Sequence, residues 1–178
     1  MAFVHIRVMS STVRSTFVRA WLTIALVDWM FASTYGVLSY HSTVARVWQG
    51  VGSVVLGPAA LQGGLRTVLV GTALHLCVAF VWTAVFLGAA LLSQRLRALI
   101  TTPGGVMAAA IVYGPLVWIV MSTLVVPAAS GRPPKIGARW LVQAVAHVFF
   151  VALPIVAMVA RGLGRSAMRE TPTLEPAI

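Results

Sequence analysis

Between Arg66 and Arg95 the chain reads TVLVGTALHLCVAFVWTAVFLGAALLSQ, residues 67–94, with a single histidine and no charge. An ionised side chain in hydrocarbon costs several kcal/mol, so an apolar run of this length without one marks a membrane-crossing helix. The same rule finds three more runs. Asp28 is the one charge between Arg19 and His41, and none lies between Arg97 and Arg132 or between Arg139 and Arg161. Each gap holds the ~20 residues that cross ~30 Å at ~1.5 Å per residue. Helices are expected over about 18–39, 67–93, 104–126 and 140–160, with Pro103 and Pro127 bounding the third. The expected fold is all-α, a membrane four-helix bundle over 18–161, with a basic segment 1–17 before it and a flexible tail 162–178 after it.

Composition supports this. With 60% hydrophobic and 9% charged residues in 178, there is too little polar surface to clothe a soluble globule. The 13 Lys and Arg against 3 Asp and Glu form short clusters between apolar runs, which suits anchoring at a bilayer surface and not nucleic-acid binding. One face collects Arg7, Arg14, Arg19, Arg95, Arg97, Arg161, Arg165 and Arg169, and the other Arg46, Arg66, Arg132, Lys135 and Arg139. The excess on the first face puts both termini in the cytoplasm. The first apolar run is too long, and its acid too unusual, for a cleaved signal peptide. Cys77, alone in an apolar run, offers no disulfide or CxxC metal site.

The segment VARVWQGVGSVVLGPAALQGG, residues 44–64, reads as an apolar external loop between the first two spans. It is too short between its glycines to cross, so it should lie flat in the interface or dip into the bundle. The second external connection, PAASGRPPKIGAR (127–139), is a basic turn whose paired prolines exclude a helix through them. Trp21, Tyr40, Trp48 and Trp140 fall near the interfaces and read as belt anchors. Pro115 and Pro154 lie inside spans and should kink them.

Chemistry concentrates at three positions. His75 and His147 each stand about eight residues inside the outer end of parallel spans, ~12 Å of helix, and Asp28 falls within one turn of that depth. Their neighbours at i±3 and i±4 are largely small or polar: Ala25 and Ala32, Gly71, Thr72 and Ala79, Gln143 and Ala144. Such faces are pressed together inside a bundle, so Asp28, His75 and His147 should face its interior. One reading is a hydrogen-bonded cluster that fixes helix register. Three others are functional. Neutral His75 and His147 could be axial ligands of a b-type haem, with Gly71 and Ala144 making room. Asp28, His75 and His147 could hold a divalent metal, with Cys77 excluded because it lies ~200° round the helix from His75. The same three could form a path for protons or a small solute.

No Walker loop, GxSxG, HExxH or pair of carboxylates at helical spacing is present, and Glu170 and Glu175 lie in the tail, so the chain is not expected to be an enzyme. The expected role is a non-enzymatic accessory or self-associating membrane subunit, with transport and electron transfer as rivals. The partners are then the bilayer and either other membrane subunits or further copies of the chain.

The runs VWQGVGSVVLGPAALQGG, VGTALHLCVAF, PGGVMAAAIVYGPLVWIVMSTLVVP and HVFFVALPIVAMVAR, spread over about residues 44–161, resemble bacterial inner-membrane proteins distantly similar to the YagU family. His75, Gly104, Gly105, His147 and Pro154 stand at the matching places. Met121 and Ser122 stand where that pattern has Met-Asn, and Ala-Ala-Ser follows Pro127 in place of a Leu-Ser start. The resemblance implies four spans in a bacterial cytoplasmic membrane and carries no activity with it.

Overall fold

The computed structural model describes the chain from Ala2 to Glu170, with side chains placed from Ser11 to Gly164. Six helices follow one another: α1 (Ala2–Tyr40), α2 (Val44–Leu56), α3 (Gly64–Leu92), α4 (Gln94–Leu99), α5 (Pro103–Ser130) and α6 (Ala138–Gly164, whose helix continues to Glu170). There is no strand among the described residues. Among the described residues four helical stretches are long and apolar enough to cross a membrane: Ser11–Tyr40, Gly64–Leu92, Pro103–Ser130 and Ala138–Gly164. The chain is an all-α membrane protein.

Each expected span is present and each is longer than its charge gap suggested. The segment 1–17 is no separate element, because α1 runs through it from Ala2 without a break. The expected flexible tail is helical to Glu170, and residues 171–178 lie outside the described residues. Arg19, Arg66, Arg139 and Arg161 thus sit within helices rather than beyond their ends. Long basic side chains reach water from inside a helix terminus, so a charge marks the hydrocarbon edge and not the end of the helix.

The expected loop at 44–64 is the largest departure. It is a helix, α2, followed by a 3-10 turn over Pro58–Gln62. Thr43 starts it, its Oγ1 accepting from the Arg46 N–H at 3.2 Å, and Gly57 ends it at φ 75, a conformation that favours glycine. The glycines that disguised α2 as a loop form its seat. A Cβ on Gly52 would stand 2.7 Å from the Thr67 carbonyl oxygen, and one on Gly71 would strike Trp48 backbone, so the α2 and α3 backbones touch. Trp48, expected at the interface, is 1% exposed. Its Nε1–H donates to Ser33 Oγ at 3.0 Å and its ring stacks on Trp29 with centroids 5.4 Å apart.

The second departure concerns the prolines. Pro127 was expected to end the third span, yet α5 continues to Ser130 and stops at Gly131, φ 67. A π-turn over Met121–Val125 precedes Pro127, and a second over Val148–Ala152 precedes Pro154. A proline lacks the N–H and presses on the carbonyl four residues back, which here is Thr123 or Phe150, inside each π-turn. Widening that turn gives the ring room while the helix continues. Pro115 lies inside α5 without ending it.

In the bundle α1 packs on α3 and on the C-terminal half of α6, α5 packs on α6, and α2 lies over α3. Tyr113 bridges α5 to α3: its hydroxyl donates to the Trp82 carbonyl at 2.6 Å and its ring lies 5.0 Å from that of Phe86. Tyr113→Phe keeps the ring and removes the bond, and is expected to lower stability by about 1 kcal/mol. Thermal unfolding in detergent checks this, and an unchanged midpoint would remove the bridge from the account.

Candidate functional site

Asp28, His75 and His147 come together as their depths suggested, lining one cavity of about 390 Å³ between α1, α2, α3, α5 and α6. Its wall is mostly apolar and aromatic, with Phe31, Trp48, Trp82 and Trp118 prominent. Cys77 is not among its lining residues and is exposed, in keeping with its angular offset from His75.

Each polar group is held by a different device. His75 Nε2–H donates to the Ala25 carbonyl oxygen at 2.9 Å, and this fixes the ring because a carbonyl can only accept. Nδ1 then faces Asp28 Oδ2 at 3.6 Å. That separation is of ion-pair length and longer than a hydrogen bond, so the two groups stand as titratable neighbours. Trp48 meets the His75 ring edge-on at 5.1 Å, so α2 closes the side of the pair.

His147 is fixed from within its own helix. Its Nδ1–H donates to the Gln143 carbonyl oxygen at 2.7 Å, leaving Nε2 as an acceptor. The backbone there is pressed against α5: a Cβ on Gly114 would lie 2.7 Å from the His147 carbonyl carbon and 2.6 Å from the Val148 nitrogen. Gly114 is thus the contact that brings His147 to its place. Asp28 and His147 interact electrostatically across the cavity. The Trp118 ring lies 4.8 Å from His147, and its buried Nε1–H has no hydrogen-bond partner among the described residues. Leaving such a donor unmet costs about 1–3 kcal/mol, which an acceptor arriving in the cavity would recover.

Among the described residues no group of three His, Cys, Asp or Glu is placed to hold a metal ion, the expected Asp28, His75 and His147 set included. The three share a cavity wall, with His75 Nε2–H on the Ala25 carbonyl oxygen and Nδ1 turned to Asp28. Gly71, expected to make room for a macrocycle, is filled by the backbone of α2.

A second cavity, about 700 Å³, adjoins the first and shares Val54, Trp118, Met121, Val126 and Gln143 with its wall. Arg132, Lys135 and Arg139 line it. Arg132 donates to Ser53 Oγ at 3.1 Å, tying the basic turn to α2, and the Arg139 guanidinium lies 4.8 Å from the Tyr40 ring centroid. Trp140, read as a belt anchor, donates to Ser122 Oγ at 2.9 Å at the first π-turn. The position where the YagU-like pattern has Asn thus supports a wall of this outer cavity. Sequence reasoning put Gln143 on the His147 face and the basic turn outside the bundle, but missed Trp118 and the vestibule these residues form.

Comparison with protein-family models, with curated proteins and with solved structures finds no match to this chain.

Proposed function

We propose that this protein is a non-enzymatic membrane protein that accepts a small solute in the Asp28/His75/His147 cavity and exchanges a proton with it. The observation that carries this reading is the meeting of three titratable side chains from three spans on one cavity. Titratable groups inside a membrane are costly to keep, and a purely structural cluster would be expected to satisfy its donors. Here the Trp118 donor is left unmet. The Trp118 N–H and the basic residues of the adjoining vestibule favour a solute bearing hydrogen-bond acceptors. In this reading the solute enters past Gln143, and the Asp28–His75 pair takes or supplies the proton.

An accessory or self-associating subunit, the role first expected from the sequence, would rest on exposed apolar faces that any lipid-facing helix has. The cavity is particular to this chain and is therefore given more weight. A cytoplasmic location of both termini, a bacterial inner membrane and kinship with the YagU family belong to the same proposal, supported by the basic residues clustered at the α1-start and α6-end face and by the runs quoted above.

The test is proton movement in proteoliposomes containing a trapped pH dye. After an imposed pH step, the purified protein is expected to speed dissipation at least tenfold over protein-free vesicles. A rate equal to that of empty vesicles, across a panel of small organic acids and neutral solutes, would overturn the proposal.

A further inference from the structure

The opposite end of the bundle holds a cavity that the proposed function does not use. It measures about 710 Å³ and lies between α4, the start of α5 and the last turns of α6. This is the end at which α1 begins, since Gly162 packs directly on Thr16. Arg97 and Arg161 line it together with Thr101 and Thr102 at its polar side, while Ile100, Val106, Leu153 and Leu163 are among the residues of its apolar side.

Its charges are placed and uncompensated. Arg97 is held by a bond from Nη1 to the Leu91 carbonyl at 2.8 Å. The ion pair found among the described residues, Asp28 with His75, is at the far cavity, so no described carboxylate answers either guanidinium here. In the sequence Arg97 is the last charge before the third span and Arg161 the first after the apolar run of the fourth. Both therefore stand at headgroup depth, with apolar wall continuing inward from them.

We propose that this cleft seats the headgroup of an anionic phospholipid, its phosphate between Arg97 and Arg161 and its acyl chains along the apolar wall of α5 and α6. A guanidinium is suited to phosphate oxygens because its N–H groups form a planar fork, and two of them from different helices select for charge. The amphipathic lining favours a lipid over free phosphate, which would leave the apolar side unfilled.

The experiment is a thermal-shift titration of the full chain in mild detergent. Its probes are dioctanoyl phosphatidylglycerol, dioctanoyl phosphatidylcholine and inorganic phosphate. Phosphatidylglycerol is expected to raise the midpoint saturably, with the other two inert in the same range. The double variant Arg97→Gln/Arg161→Gln should bind it about thirtyfold more weakly, and Arg95→Gln, outside the cleft, within twofold of the parent. Should the double variant fail to fold, Arg161→Gln alone, exposed and without a described bond, should weaken binding about fivefold. An equal shift with phosphatidylcholine, a shift with phosphate alone, or unaltered affinity in the arginine variants would each overturn the proposal. None of these results depends on the Asp28 cavity, so each reading can fail by itself.

Discussion

Gly71→Ala is expected to unseat α2 and to cost the folded protein at least about 3 kcal/mol, enough to lose a monodisperse species in detergent. The added Cβ would overlap the Trp48 carbonyl oxygen and lie 2.8 Å from its carbonyl carbon and 2.9 Å from the Gly52 nitrogen. All three are backbone atoms inside a helix, so no side chain can rotate away and α2 has to move as a body. With it would go the burial of Trp48, its bond to Ser33, its stack on Trp29 and its contact with His75. Losing a buried tryptophan by itself is worth about 3–5 kcal/mol. Gly88→Ala is the control. Nothing lies within 4 Å of a Cβ at Gly88, so the substitution should leave the midpoint within about 0.5 kcal/mol of the parent or improve it through helix propensity. Size-exclusion profiles and thermal unfolding of the two variants decide the matter. A Gly71→Ala protein as stable as Gly88→Ala would mean that α2 is not held against α3 as described.

The same contact explains what the sequence could and could not disclose. Charge gaps located all four spans because the cost of a buried charge is large and independent of neighbours. Depth counting brought Asp28, His75 and His147 to one level for a similar reason, since helical rise is nearly constant. The helix at 44–56 was hidden because glycine suggests a loop when read locally. Gly52 is there for close approach to a helix that begins at Gly64, a fact of packing rather than of propensity. Its caps were visible in principle: Thr43 before the apolar run, and Gly57-Pro58 after it. Pro127 misled in a related way. Whether a proline ends a helix or is absorbed by a widened turn depends on what the next turn can pack against, and Ala129 borders the same cavity as Asp28. The bonding of the individual side chains was hidden at a finer scale still. Residue types suggested haem or metal, but they could not show that His75 Nε2 meets the Ala25 carbonyl, fifty residues away in sequence.

Asp28→Asn is expected to reduce proton movement in proteoliposomes at least tenfold while leaving the unfolding midpoint unchanged or raised. Asp28 is the one acid in the four spans, because the other two of the chain's three, Glu170 and Glu175, follow the fourth. Asparagine keeps its size and a side-chain oxygen and removes the titratable carboxyl beside His75. The His75 Nε2–H bond to Ala25 does not involve Asp28, so the imidazole should stay in place. Stability is the more telling half of the experiment. A carboxylate retained for structure should cost stability when neutralised, whereas one retained for proton handling occupies an unfavourable position that asparagine relieves. His147→Gln should slow movement less, since Nδ1 is tied within its own helix and the Asp28–His75 pair survives. Variants that lose stability together and retain the parent rate would identify the three residues as a packing cluster; an inactive Asp28→Asn protein with an intact or higher midpoint would place the proton on the carboxylate.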